Sequence, residues 1–301
     1  MADTPSPYDV PCLADGAHDA PEVTHPHLSV KPAGTRCWYT GWVRRLTEIA
    51  PGVLVATSSY DQTTTTVVVG LGGCLLIDPA VSLAELAQLA VELRERDIRP
   101  VAAWSTHPHW DHVLWSRQLG SAPRYATPAA VRVTETRRVE LTRETQRAAP
   151  GHDFSVLARL TPLDASAIPW DGPEAHVIVH DGHAPGHGAV FLPGTGVLVA
   201  GDMCSDVEIP LLDLDAADPL GDYRTGLELL ASVSGVRQVV PGHGHVGDAG
   251  EFRRRLTADA AYLDALAFGQ PLGDPRLTAG GPEWLAGTHQ EQLRYVRMPG
   301  S

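Results

Sequence analysis

Thr106-His107-Pro108-His109-Trp110-Asp111-His112 is the stretch on which the reading of this chain turns. It follows the apolar run Val101-Ala102-Ala103-Trp104, so the first histidine stands where a strand is expected to end. Three imidazoles and a carboxylate fall within six residues, in the pattern HxHxDH. Imidazole nitrogen and carboxylate oxygen suit zinc and similar borderline metals. Alternate residues of an extended loop can converge on one ion while the next pair reaches a second. A solvated polar loop or a helix cap at Asp111 would use the same residue types, and that reading suffices for an isolated pair such as His25 and His27. It does not account for the complete pattern.

Three later segments repeat the arrangement of a strand running into a ligand-type residue. His183-Ala184-Pro185-Gly186-His187-Gly188 follows Val177-Ile178-Val179, and the Gly and Pro before His187 suit a tight turn that presents one imidazole. Val197-Leu198-Val199-Ala200 runs to Gly201-Asp202, and Val239-Val240 runs through Pro241-Gly242 to His243-Gly244-His245. A strand-end aspartate alone is commonly a turn former. Four strands ending this way, side by side on one sheet edge, would gather the side chains into a single site.

The rest of the chain supplies a frame for such an edge. Short strands are expected at 52–56, 64–69 and 74–77, the last ending at Asp78-Pro79. Ser82-Leu83-Ala84-Glu85 is a capping box opening a helix with Leu83, Leu86, Leu89 or Ala90, and Leu93 on one face. Thr127-Pro128 opens a charged helix to about Gln146. Strands are read at 176–181, 189–193 and 197–200, with Pro193-Gly194-Thr195-Gly196 as a hairpin turn. A helix from Asp218-Pro219 through Leu230, a strand at 236–240 and a helix capped by Asp248 and Glu251 complete the order. This alternation fits a mixed α/β sandwich without a second domain.

Composition bounds the function classes. With 301 residues, 43% hydrophobic and 20% charged, the chain can bury a substantial core, which excludes a disordered or fibrous protein. Acidic residues outnumber basic ones 36 to 23, and Lys31 is the only lysine. The resulting charge of -13 repels a phosphate backbone, so no nucleic-acid partner is expected. Cys12, Cys37, Cys74 and Cys204 lie far apart with no CxxC spacing, and no 18-residue apolar run is present to engage a membrane. The opening MADTPSPYDV has neither the basic nor the apolar region of a secretory signal, so a cytoplasmic location is expected. Residues 1–40, with six prolines from Pro5 to Pro32, read as an irregular Pro-rich arm, and 41–301 as one globular domain with C-terminal helices.

The order Asp78, HxHxDH, PGH, GD, PGH resembles the metallo-β-lactamase-fold superfamily over roughly residues 45 to 270. The resemblance implies an α/β four-layer αββα sandwich with two mixed β-sheets and outer helices. It implies that His107, His109 and His187 hold one metal, that Asp111, His112 and His243 hold a second, and that Asp202 bridges them. Asp78, His183 and His245 become supporting residues, although His183 and His245 adjoin ligand positions and either could exchange with its neighbour. The implied cofactor is two Zn2+, with Fe or Mn as alternatives. The implied activity is hydrolysis of a small ester, lactone, thioester or amide by a metal-bridging hydroxide, which Asp111 orients. The pocket is expected from Trp110, Trp115, Cys204, Leu211 and Leu212 and from the helical stretch around 130–170. The apolar run Ile209-Pro210-Leu211-Leu212 favours a substrate with an apolar part. Two other readings share the fold: a mononuclear iron oxygenase of the persulfide-dioxygenase type, and a catalytically silent metal-binding or assembly protein. A homodimer stays open as the assembly.

Overall fold

Every residue of Val53-Leu54-Val55 and of Leu75-Leu76-Ile77 is apolar and buried, the pattern of strands covered on both faces. The structure, a computed structural model, describes residues 45–270, 273–278 and 283–297; the arm expected over 1–40 lies outside them. Seven strands form the first sheet in sequence order: β1 (Thr47–Ala50), β2 (Val53–Thr57), β3 (Thr64–Val69), β4 (Cys74–Ile77), β5 (Pro100–Trp104), β6 (Arg124–Ala126) and β7 (Thr161–Pro162). Pairing is antiparallel from β1 to β4 and parallel from β4 to β7. The second sheet contains β8 (His176–His180), β9 (His187–Leu192), β10 (Val197–Gly201), β11 (Gln238–Pro241) and β12 (Gly247–Asp248), in the order β12-β11-β10-β9-β8. Only β10 and β11 are parallel there.

Period-two alternation divides these strands among three cores. Val53, Val55, Leu75, Ile77 and Trp104 meet Val190, Leu192, Val197, Val199 and Val240 between the sheets. Leu54, Val67 and Leu76 point the other way, onto Leu86, Leu89 and Leu93 of α1 (Leu83–Glu95). On the far side Leu198, Ala200 and Val239 pack against α4 (Pro219–Ala231), α5 (Ala249–Phe268) and α6 (Glu283–Val296) through Tyr223, Leu227, Tyr262, Leu263 and Leu285. The chain is therefore a helix, sheet, sheet, helix sandwich, with both sheets mixed. Ser82 and Glu85 form both halves of the expected capping box.

The helix expected to run unbroken from Thr127 to about Gln146 is two helices, α2 (Pro128–Thr136) and α3 (Arg138–Ala148), which meet at Arg137. The hydroxyl of Thr136 bonds back to the carbonyls of Arg132 (2.9 Å) and Val133 (3.1 Å), and such back-bonding bends helices. β9 begins at His187, two residues before the strand start expected at 189. No helix among the described residues is long and apolar enough to cross a membrane.

Strand ends place the site. Beyond β4 stands Asp78, beyond β5 the 105–112 loop, beyond β8 the 181–186 turn, beyond β10 Asp202 and beyond β11 His243. The two sheets are stitched at this edge by Gly188 N–H to Thr106 O (2.7 Å) and Thr64 N–H to Gly242 O (2.7 Å).

Candidate metal centre

Asp78 organises the histidine loop. It sits at φ 47°, a left-handed conformation that Asp tolerates, and is 2% exposed. One carboxylate oxygen accepts the Thr106 N–H (2.9 Å); the other accepts the Thr106 hydroxyl (2.6 Å) and His112 Nδ1–H (2.9 Å). His112 Nε2 is thereby turned inward, 3.2 Å from Asp202 Oδ1 and 3.7 Å from Asp111 Oδ2. The loop closes on itself through His112 N–H to His109 O (3.1 Å) and the Ser105 hydroxyl to His112 O (2.8 Å).

Three imidazoles converge first. His109 Nδ1 lies 3.1 Å from His107 Nε2 and 3.0 Å from His183 Nε2. His183 Nδ1–H donates to the Leu211 carbonyl (2.9 Å), which fixes the tautomer that keeps a lone pair on Nε2. One proton on His109 Nδ1 would have to be shared between two acceptors, whereas one cation meets all three nitrogens at once. A tetrahedron with bonds of about 2.0–2.1 Å has edges of about 3.3 Å, close to these separations. Asp202 Oδ2 completes the group, 3.4 Å from His183 Nε2 and 3.6 Å from His107 Nε2.

A second group adjoins it. His243 Nε2 lies 3.3 Å from Asp111 Oδ2 and 3.4 Å from His112 Nε2, and its Nδ1–H donates to the Asp61 carbonyl (2.8 Å). Asp202 reaches this group too, with Oδ1 3.2 Å from His112 and Oδ2 3.3 Å from His243. Two glycines make room for it. Gly201 holds φ +57°, where a side chain would run into His187, and a Cβ on Gly242 would overlap Asp202 Oδ1.

The electrostatics favour cations. Asp78, Asp111, Asp202 and Glu208 are all buried at one edge, and burying carboxylates is strongly unfavourable without compensating positive charge. Burial alone would lower the His112 pKa, but Asp202, Asp111 and Asp78 together hold it up to about 10. Burial alone would raise Asp202, yet His243, His112 and His107 keep its carboxyl well below the usual range. Burial, with neighbouring imidazoles adding to it, holds His107 and His109 well below 6.5, so both are neutral and ready to ligate. The donor set therefore fits two divalent ions.

Several sequence expectations are redirected. His187, expected in the first group, is not in it; the His180↔His187 pairing places it inside the β8–β9 ladder. Its ring stacks between His107 (5.2 Å between centroids) and His180 (4.5 Å), and neither ring nitrogen has a hydrogen-bond partner. The neighbouring His183 takes its place. His245 is no support for the centre: its side chain is 58% exposed and pairs with Asp206 at 2.9 Å. Trp115 turns away into the core above α1, where its indole N–H donates to Gly120 O (3.0 Å) and Arg124 lies over its ring. Cys204 is wholly buried in the core beneath α5, where burial pushes its thiol pKa well up, and it does not line the cavity over the centre. Trp110, Leu211 and Leu212 do line the cavity over the centre, of about 220 Å³, together with Tyr60, Val133 and Leu141. His109, Asp111, His183 and Asp202 face into it. Glu208, which the sequence places only in the loop expected to border the pocket, lies 3.8 Å from His243 Nδ1 and groups with His243 and Asp202. It stands alone in an irregular loop, so no spacing marks it.

The family model described as the metallo-beta-lactamase superfamily matches residues 59–243, and the chain belongs to that superfamily. Among solved structures it is similar to a beta-lactamase domain protein from Burkholderia ambifaria (18% identity, TM-score 0.61, covering 83% of this chain and 86% of that one). A metallo-beta-lactamase family protein from Thermus thermophilus is also similar (21% identity, TM-score 0.58, covering 83% and 91%). A third, TTHA1623 in a di-iron-bound form, shares 26% identity with TM-score 0.54 over 67% of this chain and 97% of that one. No curated protein matches the chain.

Proposed function

We propose that this chain is a dinuclear metal-dependent hydrolase, with zinc in both sites, acting on a small carbonyl substrate that carries an apolar part. His107, His109 and His183 would hold one ion, Asp111, His112 and His243 the other, and Asp202 both. The observation that carries this is the Asp202 carboxylate, which lies within 3.2–3.6 Å of His112, His243, His183 and His107 at once. Such ions lower the pKa of bound water to about 7 and polarise a carbonyl oxygen.

The chain's own groups supply the rest. Asp111 faces the cavity, where its carboxylate accepts a proton from the attacking water and returns it to the leaving group. Trp110, Tyr60, Val133, Leu141, Leu211 and Leu212 line the cavity, where they exclude bulk water and hold the apolar part of the substrate. An ester, lactone, thioester or amide meets these requirements. The di-iron form of TTHA1623 makes iron the rival metal. A single-iron oxygenase leaves Asp111, His112 and His243 without a purpose, and a silent scaffold does the same for the cavity above them.

Metal analysis and a hydrolysis screen of zinc-reconstituted protein test this reading. Two zinc ions per chain, turnover of at least one carbonyl ester or lactone, and loss of both on Asp202→Ala are expected. One iron per chain with oxygen uptake, or full turnover after Asp202→Ala, would overturn it.

A further inference from the structure

The Leu211 carbonyl sets the tautomer of His183, yet residues 209–214 belong to no strand or helix that would hold that carbonyl still. The segment is held from α6. Gln292 Oε1 accepts the Leu212 N–H (2.7 Å) and Gln292 Nε2 donates to the Pro210 carbonyl (3.1 Å), so one side-chain amide grips the peptides on either side of Leu211. A planar amide offers an acceptor and a donor side by side, as a neighbouring strand would. The second Nε2 hydrogen goes to the Tyr262 hydroxyl (2.7 Å), which in turn reaches His289 Nδ1 (2.9 Å). These bonds assign the amide orientation uniquely, and Gln292 is 1% exposed, so water does not compete for them. Arg276 anchors the same loop further up, donating to the carbonyls of Ser205 (3.2 Å) and Glu208 (2.9 Å).

We propose that Gln292 is a positioning residue for the metal centre, acting through Leu211 to aim His183 Nε2 at the first ion. This rests on the metal-centre reading given above. The residue lies beyond the family match, which ends at 243. Partners that orient a ligating histidine directly change metal affinity by about 10–100-fold when removed. Gln292 acts one peptide further out, and the lower end, about tenfold, is expected.

The test is zinc competition against a chromophoric chelator, with the cobalt(II) absorption spectrum as a second readout of the ligand geometry. Gln292→Met removes all three side-chain bonds at similar volume and is expected to weaken the site about tenfold and shift the cobalt bands. Tyr262→Phe, which only frees the amide to turn, is expected to give a smaller loss. Leu285→Ala loosens α6 without touching the clamp, and is expected to lower the melting temperature with zinc affinity unchanged. Should Gln292→Met fail to fold, Gln292→Glu keeps the acceptor for Leu212 and loses the donor to Pro210, with an intermediate loss expected. Wild-type affinity in the folded Gln292 variant, or an equal loss in Leu285→Ala, would overturn the proposal while leaving the metal centre standing. A wild-type chain that binds no zinc or cobalt would overturn both.

Discussion

Asp78→Asn removes one charge and changes almost nothing else. Asn tolerates the positive φ of 47° at this position, so the backbone can stay as it is. The carboxylate accepts three hydrogen bonds, from the Thr106 N–H, the Thr106 hydroxyl and His112 Nδ1–H. An amide has one oxygen. Turned toward Thr106 Oγ1 and His112, it sets its own NH2 against the Thr106 N–H, donor against donor. Turned the other way it forfeits two partners. Losing one charge-assisted bond costs about 1.5–3 kcal/mol and stranding a buried N–H about 1–3 kcal/mol, so a destabilisation of about 2–5 kcal/mol is expected. With its orienting acceptor weakened, His112 should also lose about 10–100-fold in zinc affinity. Urea unfolding of the zinc-free protein reads the first quantity and chelator competition the second. A loss below about 0.5 kcal/mol with unaltered zinc affinity would refute the role assigned to Asp78.

Three further outcomes follow from the geometry. His183→Ala should release metal from the first group, whereas His187→Ala should retain both ions while costing about 2–4 kcal/mol from the cavity left in the core; metal stoichiometry and melting curves together separate the two. Burial, with His183 adding to it, depresses the His180 pKa to about 4, so its contribution to stability is complete above pH 6.5 and is lost as pH falls toward 4. In metal-free protein, His180→Phe should flatten the decline of the urea midpoint between pH 6.5 and 4, and an unchanged slope would count against this account. The Thr127 side chain caps α2 and its hydroxyl donates to the Gly186 carbonyl, so Thr127→Val should cost about 1–2 kcal/mol by thermal unfolding.

Local patterns were readable where chemistry and backbone coincide. The HxHxDH loop, the capping box at Ser82 and the apolar strands before Asp78, Asp202 and His243 each carry their signal within a few residues. His183 and His187 show where that stops. Both flank Ala184-Pro185-Gly186, and the preceding Pro-Gly favours His187 as the turn residue. What decides between them is the starting point of β9 and its register against β8, which depend on pairing across the sheet. Trp115 illustrates a related limit: next to the metal loop in sequence, its ring is claimed by the core above α1. Glu208 and Gln292 were invisible for another reason. Glu208 acts from an irregular loop without a motif, and Gln292 sits on the buried face of a helix, where nothing local marks its reach across 80 residues to Leu212.

The centre draws its donors from two distant parts of the chain, His107, His109, Asp111 and His112 from one, His183, Asp202 and His243 from the other. An ion held by His112 and His243 would close a loop of 131 residues. A cross-link over a loop of that length confines the unfolded chain by about 5 kcal/mol, comparable with the whole stability of many domains. Metal would then act as a fastener between the two halves of the sandwich as well as a reagent. A chain made when its metal is scarce would open more often and be degraded sooner, so the amount of this protein in a cell should follow metal supply even where its synthesis does not change.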